Sequence, residues 1–401
     1  MNARGPGLSG FLPRTLAGWG RAVFLTLTPP AAIGGGLALA PALSLAGLLA
    51  VRPKQILGAL RNASAPLILL IAFAAWVAVS AMWSPYDDKS QVWRLLLVAG
   101  PGAAFLLSAQ RDRAQAARAA GLAILLSFAL LAALLAVEAL SNMMLNRLFQ
   151  PYAEGWRLMR NPGRGATVLV MLVWPVLVAV LALPEPWRTA LATLVLFVTG
   201  ALATQFDQAA NLIAFLLGAL AFLAALWRPR IVLTGLASLL ALLMLTAPFA
   251  ALGAAAAFGG ADGLPATVAH RLEIWRFAAG EALNSPIIGH GLDASRTYDQ
   301  TIALGGETVP LLPLHPHNLS LQLWLETGVI GAALVAAALI WGAVRSARRS
   351  LARVDAAALA GALAAGALIA HFSYGAWQEW WVATIIGAAG LLMRLRTPNG
   401  A

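Results

Sequence analysis

Side chains able to do chemistry concentrate in one stretch, from Leu264 to Gly328. It holds four of the five histidines (His270, His290, His315 and His317) and three arginines, Arg271, Arg276 and Arg296. An imidazole can take a proton from a hydroxyl, and a guanidinium fork can hold a phosphate by two hydrogen bonds. His315-Pro316-His317-Asn318 opens a long apolar run, and proline beside a polar cluster fits a helix N-terminus. A histidine there feels the positive end of the helix dipole and any neighbouring arginine. Both favour the neutral ring, the form that accepts a proton. Asn318, Gln322 and Glu326 then recur at helical spacing as one polar stripe. Polar groups at membrane depth are costly and usually functional; the alternative is that these first turns emerge into water.

The elements that must position these groups are apolar. Of 401 residues 60% are hydrophobic and 11% charged, against about 25% charged in an average soluble domain. The apolar runs are continuous rather than alternating, so the expected fold class is an all-α polytopic membrane protein. The runs cover about 22–36, 37–51, 64–83, 91–109, 117–141, 164–183, 187–205, 208–227, 231–258, 318–344, 355–376 and 380–393. They give about 12 transmembrane helices; the first two are either short helices or a re-entrant pair. The chain divides into spans 1–9 (1–258), a large loop (259–317), and spans 10–12 with a tail (318–401). Within the loop, Thr267 can cap a helix running to about Leu283 along the membrane surface, ended by Asn284-Ser285-Pro286. Gly289-His290-Gly291 reads as a tight turn, and 300–314, with Gly305-Gly306, Pro310 and Pro313, as a mobile lid or a plain loop.

The net charge of +11 is not a nucleic-acid footprint, because it is sorted by side. With the N-terminus inside, alternate loops hold 18 of the 27 positive residues, Arg4, Arg14, Arg52, Lys54, Arg111, Arg113, Arg349 and Arg396 among them, and three of the 16 acids. By the positive-inside rule both termini are expected in the cytoplasm and the large loop outside. Arginines on the disfavoured side then stand out. Arg147, Arg157 and Arg160 lie in the outside loop 142–163, with Arg164 at the next helix start; Arg271, Arg276 and Arg296 lie in the large loop. They suit a diphosphate site at the outer boundary, or, more blandly, snorkelling and salt bridges with Glu154, Glu273 and Glu281. Two further polar patches fall at the same face: Asp207, Gln208 and Asn211, and His371, Tyr374, Gln378 and Glu379. No cysteine, Asp-x-Asp or His-Glu-x-x-His pattern occurs, so neither metal nor cofactor is expected.

Arg271-Leu-Glu-Ile-Trp275, then Ser285-Pro286-Ile-Ile-Gly289-His-Gly291-Leu, then His315-Pro-His317-Asn318 leading to Glu326-Thr-Gly328, resembles the O-antigen ligase and polymerase superfamily. The resemblance is specific over about 265–331 and architectural elsewhere. It implies a GT-C-like membrane glycosyltransferase of the bacterial inner membrane. An O-antigen ligase (WaaL-type) member passes a glycan from undecaprenyl diphosphate to the lipid A–core oligosaccharide. By resemblance, His317 matches the family's essential histidine and Arg271 an essential arginine of the loop. Arg160, Arg164, Arg271 and Arg296 are then the expected diphosphate ligands, with His315, Asn318, Gln322 and Glu326 in support. Where many relatives carry Ser-Arg-Gly this chain has Asp207-Gln208-Ala209, which argues against a polymerase and leaves Arg160 and Arg164 to supply the compensating charge. The alternatives are O-antigen polymerase, protein oligosaccharyltransferase and, outside enzymes, a lipid or solute transporter. A transporter often shows inverted repeats, and no clear internal repeat is visible here.

Overall fold

A computed structural model describes residues 16–50, 56, 58, 61, 64–109, 114–258, 264–304, 306–348 and 351–395. Arg4, Arg14, Arg52, Lys54, Arg111, Arg113, Gly305, Arg349 and Arg396 lie outside the described residues.

Each long apolar run forms a helix. In chain order these are α1 (Leu16–Ile33), α2 (Leu39–Ala50), α3 (Ala65–Ser80), α4 (Ser90–Ala109) and α5 (Ala114–Leu140). Then come α6 (Met144–Phe149), α7 (Trp156–Leu181), α8 (Trp187–Ala203), α9 (Ala209–Trp227), α10 (Pro229–Ala257) and α11 (Ala266–Asn284). The last three are α12 (Leu319–Arg348), α13 (Arg353–Phe372) and α14 (Glu379–Leu395). Among the described residues seven helices are long and apolar enough to cross a membrane: α4, α5, α7, α9, α10, α12 and α13. α2, α3 and α8 are shorter apolar helices. Leucines and phenylalanines such as Phe197, Leu216, Leu220, Leu223, Leu239 and Leu242 stay exposed on the flanks of the bundle. An apolar exterior over a helical frame is what a multi-pass membrane protein presents to lipid.

The core forms around α7, which is buried on nearly every side from Asn161 to Val178. Its Trp174 is fully buried and stacks near Phe215 and Phe222 of α9. Small residues make this possible. A Cβ at Gly218 would lie 2.3 Å from the Trp174 ring, and one at Gly361 of α13 would lie 2.5 Å from it. Close approach through small residues is how helices pack where lipid gives no hydrophobic drive.

Three local expectations are corrected. The stretch 142–163 is largely helical: α6 precedes α7, whose first turns carry Arg157 and Arg160 and place Arg164 inside the helix. Those turns are polar, carrying Arg157, Arg160 and Asn161, so apolarity alone does not mark them. Thr267 does not cap α11; Pro265 does, its carbonyl accepting from Val268 and Ala269. The segment 300–314 contains strands β1 (Thr301–Leu304) and β2 (Glu307–Pro310), an antiparallel hairpin with Thr301 opposite Pro310.

α12 is broken at Gly328, whose φ of 64° and ψ of −170° are not helical. The segment after α11 repairs the break bond for bond. His290 N–H donates to Leu325 O and Gly291 N–H to Glu326 O. Val329 N–H donates to Pro286 O and Ile330 N–H to Ile287 O. Trp76 Nε1 takes the Thr327 carbonyl at 2.8 Å. A break in an apolar helix survives only when its freed backbone groups find partners in the protein. The glycines are steric requirements of this junction. A Cβ at Gly328 would lie 2.2 Å from Ile287 O, and one at Gly289 would lie 2.5 Å from the Glu326 carbonyl carbon. Gly328 and Gly289 both have positive φ, a region other residues rarely adopt.

Candidate functional site

The three polar patches and the histidine cluster meet at one end of the bundle. The turn before α12 is held from two sides. Trp275 Nε1 of α11 donates to Pro316 O at 3.0 Å, and Asn318 Oδ1 accepts the Leu321 N–H at 3.1 Å, capping α12. His317 itself has φ +51°, a left-handed conformation that a side-chain-bearing residue holds only when its surroundings impose it. His317 Nδ1 lies 2.8 Å from the Ser373 carbonyl, between α13 and α14. A carbonyl can only accept, so Nδ1 carries the proton and Nε2 keeps its lone pair.

His315 is buried, its ring centroid 4.3 Å from that of His317. Its Nδ1 accepts the His317 N–H at 3.2 Å, and Nε2 faces Gln378 Nε2 at 3.3 Å. Burial, then His317, Arg296 and Arg271, push its pKa down to about 3. His317 is lowered too, first by burial; the Ser373 carbonyl opposes, and Arg271 and His270 add to the lowering. Both rings are therefore neutral at neutral pH, and the one with an available basic nitrogen is His317.

Arg271 of α11 belongs to this cluster through its field on both histidines. Its Nη1 is buried with no hydrogen-bond partner among the described residues, and burial lowers its pKa. Arg164 of α7 is similar. Its guanidinium carbon lies 5.3 Å from the ring centre of Trp380, its Nη1 donates to Gly35 O at 3.3 Å, and its Nε is buried without a partner among the described residues. Tyr374 ties Arg164's surroundings to the histidine side. Its hydroxyl lies 3.0 Å from both Gln208 Oε1 and Thr167 Oγ1, and Trp380 Nε1 donates to Gln378 Oε1, whose amide nitrogen faces His315. Burial pushes the Tyr374 hydroxyl up to about 12, with Thr167, Arg164 and Gln208 opposing.

Other expected ligands stand apart or are already engaged. Arg160 is exposed at the rim, 5.8 Å from the Trp156 ring centre, and reaches the cluster only through its field on Arg164. Arg296 makes an ion pair with Asp293 at 2.9 Å and lies against Tyr86, with about a third of its side chain exposed at 33%. Arg276 is paired with Glu273 at 2.6 Å. Among the described residues no group of three histidine, aspartate, glutamate or cysteine side chains is arranged to hold a metal ion.

The polar stripe of α12 is a strap. Glu326 is fully buried and accepts four hydrogen bonds: from Asp293 N–H at 2.6 Å, Gln322 Nε2 at 3.1 Å, Ser295 Oγ and Trp377 Nε1. Gln322 Oε1 accepts the Ala376 N–H at 2.8 Å. Together they fix the loop after α11 and the link between α13 and α14, the two segments that frame His315 and His317. His371 has the same character: Nδ1 donates to Ala367 O and Nε2 accepts from Ser320, both at 2.8 Å. Asp207 is exposed and outside these contacts. Sequence reasoning missed Thr167, Trp380, Asn161 and the carbonyls of Ser373 and Gly35. A backbone carbonyl has no signature in sequence, Thr167 and Trp380 sit in runs that read as ordinary helix, and Asn161 sits in the stretch read as a loop.

Comparison with known proteins reads the same region. Residues 192–336 match the family described as O-antigen ligase. The matched stretch is similar to that family and covers less than half of the chain. It contains Arg271, Arg296, His315, His317 and Glu326, and leaves Arg164, Tyr374 and Trp380 outside. The chain is 33% identical over 137 residues to a protein of Rickettsia typhi, 33% of this chain and 34% of that one, which bears the name "Putative polysaccharide ligase". A Rickettsia prowazekii protein so named is 35% identical over 138 residues, again 33% and 34% of the two chains. One from Rickettsia bellii is 29% identical over 275 residues, 66% of this chain and 64% of that one. The chain thus matches about a third of the length of the first two relatives. No solved structure matches it.

Proposed function

We propose that this protein is an O-antigen ligase: an inverting glycosyltransferase, independent of metal, that moves a glycan from undecaprenyl diphosphate to the lipid A–core oligosaccharide. In this reading it lies in the bacterial inner membrane with the site on the periplasmic side and both termini in the cytoplasm. The observation that carries the proposal is the pairing of a neutral histidine, its Nε2 unprotonated, with two half-buried arginines that each keep a buried nitrogen without a partner among the described residues. A single transfer needs those parts. The acceptor hydroxyl gives its proton to His317 Nε2 as its oxygen attacks the anomeric carbon of the donor sugar. The bond from that carbon to the diphosphate breaks, and inversion follows from attack on the opposite side. Arg271 and Arg164 take the charge that grows on the departing diphosphate. Arg160 and Arg296 stand at the rim, placed to guide the anion in. The Glu326 strap keeps the parts in register.

Support for a ligase comes from the family match and the ligase names of the relatives. The test is transfer by purified protein from polyprenyl-diphosphate glycan to lipid A–core, with no divalent metal added. His317→Ala, folded and at equal concentration, is expected to lose about 10²- to 10⁴-fold in rate, the usual contribution of a general base. Retained activity in that variant sinks the base role; lengthened lipid-linked glycan with unmodified lipid A–core points to a polymerase.

A further inference from the structure

Glu138, near the end of α5, is completely buried and has no part in the transfer above. Its Oε1 accepts both the backbone N–H and the side-chain Nδ2 of Asn146 on α6, each at 2.9 Å. Its Oε2 has no hydrogen-bond partner among the described residues. Asn146 passes the connection on. Nδ2 also donates to Ile33 O at 3.3 Å, and Oδ1 accepts from Asn161 Nδ2 at 3.1 Å. Asn161 lies one turn before Arg164 on α7 and packs hard against the tip between α1 and α2: a Cβ on Gly35 would lie 2.4 Å from Asn161 Oδ1. The Gly35 carbonyl then accepts from Arg164 Nη1 at 3.3 Å.

We propose that Glu138 is a positioning residue for Arg164. It pins α6, and through Asn146 and Asn161 it sets both the first turns of α7 and the Gly35 carbonyl that aims the guanidinium. Loss of the acceptor strands two buried donors of Asn146, so α6 must shift to satisfy them. The carboxylate's second oxygen is unused and both bonds come from neutral donors, so a carboxamide oxygen serves equally well. The effect on donor binding rests on the diphosphate role given to Arg164; the effect on geometry does not.

The chain has no cysteine, so Arg164→Cys creates a single thiol. Its rate of modification by a methanethiosulfonate reagent reads the packing of that position. With Glu138→Ala added, the rate is expected to rise about fivefold or more, as local opening frees the first turn of α7, while Glu138→Gln leaves it unchanged. In chains that keep Arg164, Glu138→Ala is expected to raise KM for polyprenyl-diphosphate glycan about tenfold or more with a smaller change in kcat, and Glu138→Gln to restore it. Should Glu138→Ala fail to fold, Asn161→Ala cuts the same path nearer Arg164 and carries both expectations. Unchanged labelling in the alanine variants, or equal damage from alanine and glutamine, overturns the proposal. If the unmodified chain transfers no glycan but labelling responds as described, the functional reading falls and the positioning role stands.

Discussion

Two polar regions lie within three turns of α12 and differ in one respect. Around Glu326 every acceptor is met: four donors converge on one buried carboxylate, and the neighbouring Gln322 uses both ends of its amide. Around His317 the accounts stay open. Its Nε2 keeps a lone pair, and Arg271 and Arg164 each keep a buried nitrogen without a partner among the described residues. Buried polar groups in a finished protein are paired. Around Glu326 the closed network reads as architecture; around His317 unpaired cationic nitrogens beside a neutral base read as a place prepared for an anionic ligand. The stripe Asn318, Gln322, Glu326 and the pair His315, His317 look alike in sequence; satisfaction of hydrogen bonds separates them.

The comparison breaks first at the strap. Glu326→Leu leaves four buried donors unpaired, each worth about 1–3 kcal/mol, against a total stability of only about 5–15 kcal/mol. Size-exclusion chromatography of the detergent-extracted variant is expected to show little or no monodisperse protein; a well-folded variant would mean that the network is dispensable. Next comes the open region. Arg271→Gln is expected to cost about 10²- to 10³-fold in kcat, the usual loss when a donor to a developing anion is removed, while its thermal midpoint holds or rises because an uncompensated buried charge is gone. A fall in stability equal to that of the strap variant would place Arg271 among the architecture.

Smallest is the pH effect. His315 and His317 both have native pKa values below the unfolded value of about 6.5. A histidine of that kind binds more protons when unfolded, so its stabilising contribution is complete above the unfolded pKa and declines as pH falls. For His315 the decline runs from about 6.5 to about 3. For the reaction, protonating His317 removes the base, so the acid limb of the rate profile is expected below the ordinary histidine range and to vanish from the residual rate of His317→Ala. A limb centred above that range would contradict a depressed His317.

Much of this was legible in the chain. The helical class, the run-by-run placement of helices, the helix of the large loop and the convergence of three polar patches follow from hydropathy and helical spacing. Less could be read at the ends of elements. α7 starts earlier than its apolar residues do, because its first turns carry Arg157, Arg160 and Asn161. The hairpin 301–310 is too short and too polar to mark itself. Of the four arginines expected to bind diphosphate, only Arg164 and Arg271 keep a buried nitrogen without a partner among the described residues; Arg160 is exposed, and Arg296 is spoken for by Asp293, a pairing three residues away that sequence permits without requiring.

What the amino-acid order settles alone is which segments bury in an apolar phase and which residue types stand ready for phosphate and proton, since both follow from transfer free energy and local period. What only the folded chain decides is who is left without a partner. Ser285–Gly291 stitches the break at Gly328, and Ser373 fixes the tautomer of His317 through a backbone oxygen that any residue could supply. Hydrogen bonds saturate at short range between parts distant in sequence, so the difference between a strap and a site exists only in three dimensions.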